Sequence, residues 1–188
     1  MKTARCHLQS ISPYGQGRQY DKEEVPALSK ESHADYEKRT WRNRMHVAAD
    51  GEVFIPAPAF KNCIADCAKY LSISIPGKGK ATYTKHFEAG VLVTEGMLLG
   101  IRAEDVQPTG LYLPSDGRRG GTTRVKKYMP TIPEWEGEVT FHILDDTVTE
   151  DVFKHVLSES GQFIGLGVFR PRNNGYWGRF KVVSVKWG

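Results

Sequence analysis

Ala4, Cys6 and Leu8 alternate with Thr3, Arg5 and His7 at the start of the chain. A period of two over this stretch predicts a half-buried strand. Ser12-Pro13-Tyr14-Gly15 then breaks the pattern. Residues 15–45 are polar, highly charged and without sustained period, which predicts a long insertion or arm whose 35–44 part forms a short helix or an extended strap. Residues 45–55 read as a hairpin, with Asp50-Gly51 as the turn between Val47 and Val53. Phe60, Cys63, Ile64, Cys67 and Leu71 fall at i, i+3, i+4, i+7 and i+11, one apolar stripe of a helix over about 59–71.

Residues 76–80 form a basic loop, and the apolar stretch 90–101 reads as one or two strands broken near Glu95-Gly96. Residues 102–134 are rich in Gly, Pro, Arg and Lys and predict a second insertion, a hairpin tipped by residues 116–121. Val139, Phe141 and Ile143 alternate with Glu138, Thr140 and His142 as a strand. Thr147 and Glu150 have capping-box spacing, Val148, Val152, Val156 and Leu157 give the apolar face of the following helix, and Gly161 is placed to stop it. Residues 180–187 form a final strand. The order strand, helix, strand, strand, helix, strand is the ferredoxin-like split βαβ pattern. The expected fold class is therefore α+β: one RRM-like domain over residues 1–188, with insertions near 15–45 and 102–134. Two helices would cover one sheet face and leave the other open to a ligand or partner.

A net charge of +4 and a pI of about 8.9 are weak signals alone; the distribution says more. Residues 38–44 hold four basic residues and no acid, and residues 117–127 hold Arg118, Arg119, Arg124, Lys126 and Lys127, again without an acid. Arg170, Arg172, Arg179 and Lys181 follow near the end, while acids gather at 21–24 and 134–151. That separation suits a groove for phosphates. The three cysteines lack zinc-finger spacing and read as buried thiols. No apolar run follows Met1 and no stretch approaches the length of a membrane span, so a soluble cytoplasmic protein without a membrane partner is expected. No Walker loop, dinucleotide fingerprint or hydrolase elbow is present, and neither a cofactor nor a metal is expected.

Two segments carry a family resemblance. Phe54-Ile55-Pro56-Ala57-Pro58-Ala59-Phe60-Lys61, directly before the first predicted helix, resembles the "IPGSSLKG" lead-in of the RAMP superfamily of CRISPR-associated proteins, with Ala57-Pro58 in place of glycine-serine. Residues 163–180, Phe-Ile-Gly-Leu-Gly-Val-Phe-Arg-Pro-Arg-Asn-Asn-Gly-Tyr-Trp-Gly-Arg-Phe, resemble that superfamily's glycine-rich loop, "GxGxxRxxGxGRF" in backbone subunits of effector complexes. The resemblance covers the βαββαβ frame. It implies a backbone-subunit-like protein, or a stand-alone or phage-encoded relative in antiviral defence, with a thumb-like hairpin at the second insertion.

The residues themselves give each element a chemistry and an alternative. Gly165 and Gly167 would let backbone amides approach a phosphate, with Arg170, Arg172 and Arg179 adding bidentate contacts and Tyr176 and Trp177 stacking on bases. The alternative is a tight helix-to-strand turn with solvated arginines. Lys61 in the first helical turn would be favourable beside a bound anion, or is simply solvated. Trp41, Arg42 and Arg44 interleave an aromatic with cations; Trp41 either stacks on a base or anchors the arm. Arg118, Arg119, Arg124, Lys126 and Lys127 would lie across a strand, reach the next subunit, or form a solvated loop.

The expected function is sequence-tolerant binding of single-stranded RNA, or else DNA, by copies assembled head to tail or with other CRISPR-type subunits. A metal-independent endoribonuclease of the same fold is the second reading. His33, Asp21 and Asp35 are its nearest candidates, none within a matching motif. A protein-interaction module that mimics or blocks a CRISPR subunit is the third.

Overall fold

The computed structural model describes residues 1–21, 23–115 and 123–188. Its strands and helices run, in order, β1 (Lys2–Ser10), β2 (Tyr14–Gly15), α1 (His33–Thr40), β3 (Glu52–Ile55), α2 (Ala57–Leu71), α3 (Thr84–Gly90), β4 (Val91–Leu92), β5 (Met97–Arg102), β6 (Gln107–Pro114), β7 (Arg124–Ile132), β8 (Glu136–Ile143), α4 (Glu150–Glu159) and β9 (Phe180–Trp187). No helix among the described residues is long and apolar enough to cross a membrane.

The alternation at the N-terminus does become a central strand. Ala4, Cys6 and Leu8 are fully buried, and Ala4 and Cys6 stand opposite Phe141 and Val139 of β8. β9 pairs with the other edge of β1, and β4 flanks β8, so the sheet order is β4-β8-β1-β9, antiparallel throughout. Each β–α–β half thus leaves a slot that the other half's strand fills, which is the split βαβ arrangement. The α+β fold class with a ferredoxin-like core is the observed one. α2 and α4 cover one face with Phe60, Cys63, Ile64 and Cys67 and with Phe153, Val156 and Leu157. Phe153 lies edge-on to Phe141 at 5.3 Å between ring centroids, a favoured aromatic geometry. Burial pushes the Cys6, Cys63 and Cys67 thiols up to about 12, because a thiolate in apolar surroundings loses its hydration.

The opposite face carries Arg5, His7 and Gln9 of β1, Glu136, Glu138 and His142 of β8, and Lys181, Ser184 and Lys186 of β9. RRM sheets stack bases on aromatics at this face. Here its end is acidic instead, with Glu136 and Glu138 exposed.

Outside this sheet, β2 pairs with β7 and β3 pairs with β5, and α1 packs on β7. The 15–45 segment is accordingly not a free arm. The described residues over 17–35 are mostly exposed, but at the ends of the segment polar side chains pair: Arg44 donates to both carboxylate oxygens of the buried Glu37 at 2.7 and 3.0 Å, and the buried Gln16 bridges the Phe54 carbonyl and the His46 N–H at 2.9 and 2.7 Å. Partnered polar groups can be buried without an apolar period. The 35–44 part is α1 followed by a 3-10 turn, Trp41–Arg44.

Two helix starts also differ from expectation. α2 begins at Ala57 rather than about 59. α4 is capped by Thr149, whose hydroxyl accepts from the Val152 N–H, while the Thr147 N–H goes to Asp145 Oδ1 at 2.9 Å; Thr147 and Glu150 therefore do not form the capping box.

Candidate nucleic-acid interface

After Glu159 the chain widens into one π turn, Ser160–Ile164, before the glycine-rich connection to β9. The turn leaves Gln162 and Phe163 exposed. Gly178 shows why glycines are required here. Its φ is +76°, and a Cβ would sit 1.9 Å from the Leu166 carbonyl oxygen. At Gly167, with φ +73°, a Cβ would sit 2.2 Å from the Gly15 carbonyl oxygen and 2.6 Å from the Tyr14 ring.

The amides of this connection are largely engaged within the protein. Gly165 N–H donates to Ser160 O, Leu166 to Gly178 O, Val168 to Gly15 O, Trp177 to Phe169 O and Gly178 to Pro13 O, at 2.7 to 3.0 Å. The Gly165 N–H is thus not free for a phosphate, and the conformational freedom of the glycines lets the loop fold against itself and against residues 13–15.

The three arginines separate. Arg170 is tied to Asp66 of α2 at 3.3 Å and donates to the Gly165 carbonyl at 3.4 Å. Arg179 donates to the carbonyls of Gln162 and Tyr176 at 3.2 and 3.3 Å and lies 5.8 Å from the Tyr176 ring centre. Arg172 is exposed and meets no carboxylate among the described residues. Arg172 and Arg179 border a groove of about 370 Å³ whose other walls are Tyr70, Gln162, Phe163 and Pro171. Tyr70, from the last turn of α2, and Phe163, from the π turn, pair with centroids 5.7 Å apart and planes inclined by 32°. Tyr70 is 57% exposed, Phe163 44% and Tyr176 61%. The groove thus joins a platform of flat, accessible rings to two guanidinium groups, the combination that holds a base and its phosphate.

Other expected contacts lie elsewhere or are occupied. Trp177 is buried, edge-on to Phe169 at 5.8 Å, so its ring belongs to the loop's own packing. Trp41 is likewise buried and anchors the arm; Arg42 lies over its ring at 4.3 Å and Arg44 is paired with Glu37. Cations next to an aromatic look the same in sequence whether the ring faces solvent or the core. Lys61 is the fifth residue of α2 rather than part of its first turn. It stands about 140° round the helix from Asp66, by helical geometry, away from the face that meets Arg170. Pro58 brings no N–H to that helix end and the Ala59 N–H donates to Pro56 O, which leaves fewer amides there for a phosphate.

On the β6–β7 hairpin, Arg124 and Lys126 share a face with Tyr112 and Tyr128, since Tyr112 stands opposite Lys126 and Gly110 opposite Tyr128. Lys126 Nζ lies 5.4 Å from the Tyr128 ring centre, and Tyr112 is 66% exposed. Lys127 falls on the other face, opposite Leu111. Arg118 and Arg119 lie outside the described residues.

Sequence reasoning missed Tyr70, Gln162, Phe163, Tyr112 and Tyr128. The available signal for Tyr70 was its position off the 60–63–64–67–71 stripe, which leaves an aromatic on a solvent face. It also missed α3, where His86 Nδ1 lies 2.5 Å from Asp145 Oδ2. This hydrogen bond, together with the Thr147 N–H, holds the Asp145 carboxyl down at about 2. Of the candidate catalytic residues, Asp35 is bound to Ser32 at the start of α1, Asp21 accepts from the Glu23 N–H, and His33 lies 3.9 Å from Glu37; each is accounted for by local structure.

No family model and no curated protein matches the chain. Among solved structures the chain is similar to Cmr6 from Pyrococcus furiosus, with 14% identity, 97% of this chain and 99% of that chain covered, and a TM-score of 0.49. It is also similar to Cas6 in a product complex, with 11% identity, 95% of this chain and 51% of that chain covered, and a TM-score of 0.34. These are likenesses of chain path at low identity.

Proposed function

We propose that this protein binds single-stranded nucleic acid, RNA in preference to DNA, without strong sequence requirement, along the helix-side groove and the basic face of the β6–β7 hairpin. The observation that carries this reading is the meeting of Tyr70 and Phe163 with Arg172 and Arg179 around one accessible groove, with the exposed Tyr176 ring beside Arg179. Rings accept any base face, and guanidinium groups fit any phosphate, so such a site is tolerant of sequence. The motif resemblance at 54–61 and 163–180 supports a subunit of CRISPR-type assemblies, with copies or related subunits placed head to tail along the strand.

The test is a fluorescence-anisotropy titration of a labelled uridine 20-mer over a range of salt, with the matching deoxythymidine strand and a duplex alongside. Four to five phosphate contacts give a slope of log K against log salt of about −3 for a single strand. A duplex bound as well as the single strand, or an affinity indifferent to salt, overturns the reading.

A further inference from the structure

The chain that leaves α2 carries a basic feature outside the groove. Residues 67–87 hold Lys69, Lys78, Lys80 and Lys85 and no acidic residue. All four lysines are exposed, and none is ion-paired among the described residues. Lys78 and Lys80 sit on a small hairpin. The Tyr83 N–H donates to Ile73 O at 3.0 Å and the Ile75 N–H to Ala81 O at 2.8 Å, with Ser74 bridged to Thr82. Two linked turns make its tip: the Lys78 N–H closes on Ile75 O at 3.1 Å across Pro76-Gly77, and the Ala81 N–H closes on Lys78 O at 3.1 Å. Proline followed by a glycine at φ +75° is what a type II turn requires.

The hairpin is fixed at its base and open at its tip. Ile75 and Tyr83 are each 6% exposed and belong to the core. Thr84 Oγ1 donates to Ala68 O, in the last turns of α2, at 3.4 Å. Tyr70, a ring of the groove, follows two residues after Ala68, and Ile73 opens the hairpin three residues after Tyr70. A strand rises about 3.3 Å per residue, so Lys78 stands at most roughly 16 Å from the Ile73–Tyr83 base beside Tyr70. Cations held on a hydrogen-bonded frame without carboxylates repel one another, and a polyanion relieves that repulsion. A nucleic-acid strand makes use of the flat rings and the lysines together; an acidic polypeptide has a use for the lysines alone.

We infer that the 73–83 hairpin extends the proposed groove: a single strand seated on Tyr70 and Phe163 continues past the end of α2, and its phosphates meet Lys78 and Lys80. The inference rests on the nucleic-acid reading of the groove and adds where the strand leaves it. A strand short enough to fill the groove alone makes no contact with the hairpin; a longer one reaches both.

The test titrates the full chain into a labelled uridine tetramer and a labelled uridine 20-mer over a range of salt, beside the double variant Lys78→Gln with Lys80→Gln. The variant is expected to bind the tetramer as the unaltered protein does, to bind the 20-mer about tenfold more weakly, and to lower the 20-mer salt slope by about 1.4, two phosphate contacts at about 0.7 each. Arg5→Gln with Lys186→Gln removes the same charge from the open sheet face, where the two exposed side chains stand opposite one another, and is expected to change neither affinity. These positions are exposed, and an unchanged thermal melt confirms folding of each variant. Full 20-mer affinity in the hairpin variant, an equal loss in the sheet-face variant, an equal loss for the tetramer, or displacement of the 20-mer by a glutamate decapeptide overturns this inference and leaves the groove standing. Absence of 20-mer binding by the unaltered protein overturns the groove reading and this inference with it.

Discussion

Arg170 Nη2 lies 3.3 Å from Asp66 Oδ2, so the first arginine of the glycine-rich connection is fastened to α2 by a carboxylate of the same chain. Arg172, two residues later, has no such partner among the described residues. Arg172→Ala should therefore weaken uridine 20-mer binding about tenfold and lower the salt slope by about 1, uniformly across sequences. Arg170→Ala should change binding far less and cost at most about 1 kcal/mol of stability, the usual range for a partly exposed ion pair. Anisotropy titrations and urea melts of the two variants separate the roles; equal loss of binding in both would contradict the assignment.

The aromatic residues divide the same way. Tyr70→Ala and Phe163→Ala should each lose about 1–3 kcal/mol of binding to single strands with folding nearly unchanged. Trp177→Ala, at a buried ring, should instead lose about 3–5 kcal/mol of stability. Denaturant melts run beside the titrations distinguish them. A folded, stable Trp177→Ala protein with lost binding would place that ring at the ligand.

Gly178→Ala puts a Cβ against the Leu166 carbonyl at a φ of +76°. Side chains are strained at such a φ, and here there is also no room, so a loss of more than about 1 kcal/mol is expected. The measurement is the urea midpoint. An unchanged midpoint would mean that the loop is not held as described.

Asp145 gives a prediction about acid. Its folded value, about 2, lies below the ordinary carboxylate range. A depressed value means that its contribution to stability is full above about pH 4 and is lost as pH falls toward 2. Asp145→Asn should flatten the decline in stability across that window, while its side-chain oxygen still accepts the Thr147 N–H. Urea melts at stepped pH check this, and parallel curves for both proteins would remove Asp145 from the account.

The frame was legible because apolar period and burial coincide in it. Ala4, Cys6 and Leu8, the 60–71 stripe and Val139-Phe141-Ile143 all turn inward as their spacing requires. α3 escaped because seven residues give too short a stripe to read. In the 15–45 segment the short helix was legible, but the burial of Glu37, Thr40 and Gln16 through hydrogen bonds was not, because composition does not show pairing. Arg172 and Arg179 of the proposed groove, and Tyr176 beside Arg179, were named from the glycine-rich stretch. Tyr70 and Phe163 join them only through the packing of α2 against the π turn, a long-range contact that neither local sequence announces.

The closure of the glycine-rich connection on its own amides has an evolutionary consequence. Its shape is set by backbone bonds to residues 13–15 and 178, whereas Tyr70, Phe163 and Arg172 project from that frame without forming it. If the groove holds nucleic acid as proposed, drift at these three positions would retune which polymer is gripped, and how firmly, one substitution at a time, while the scaffold beneath is inherited unchanged.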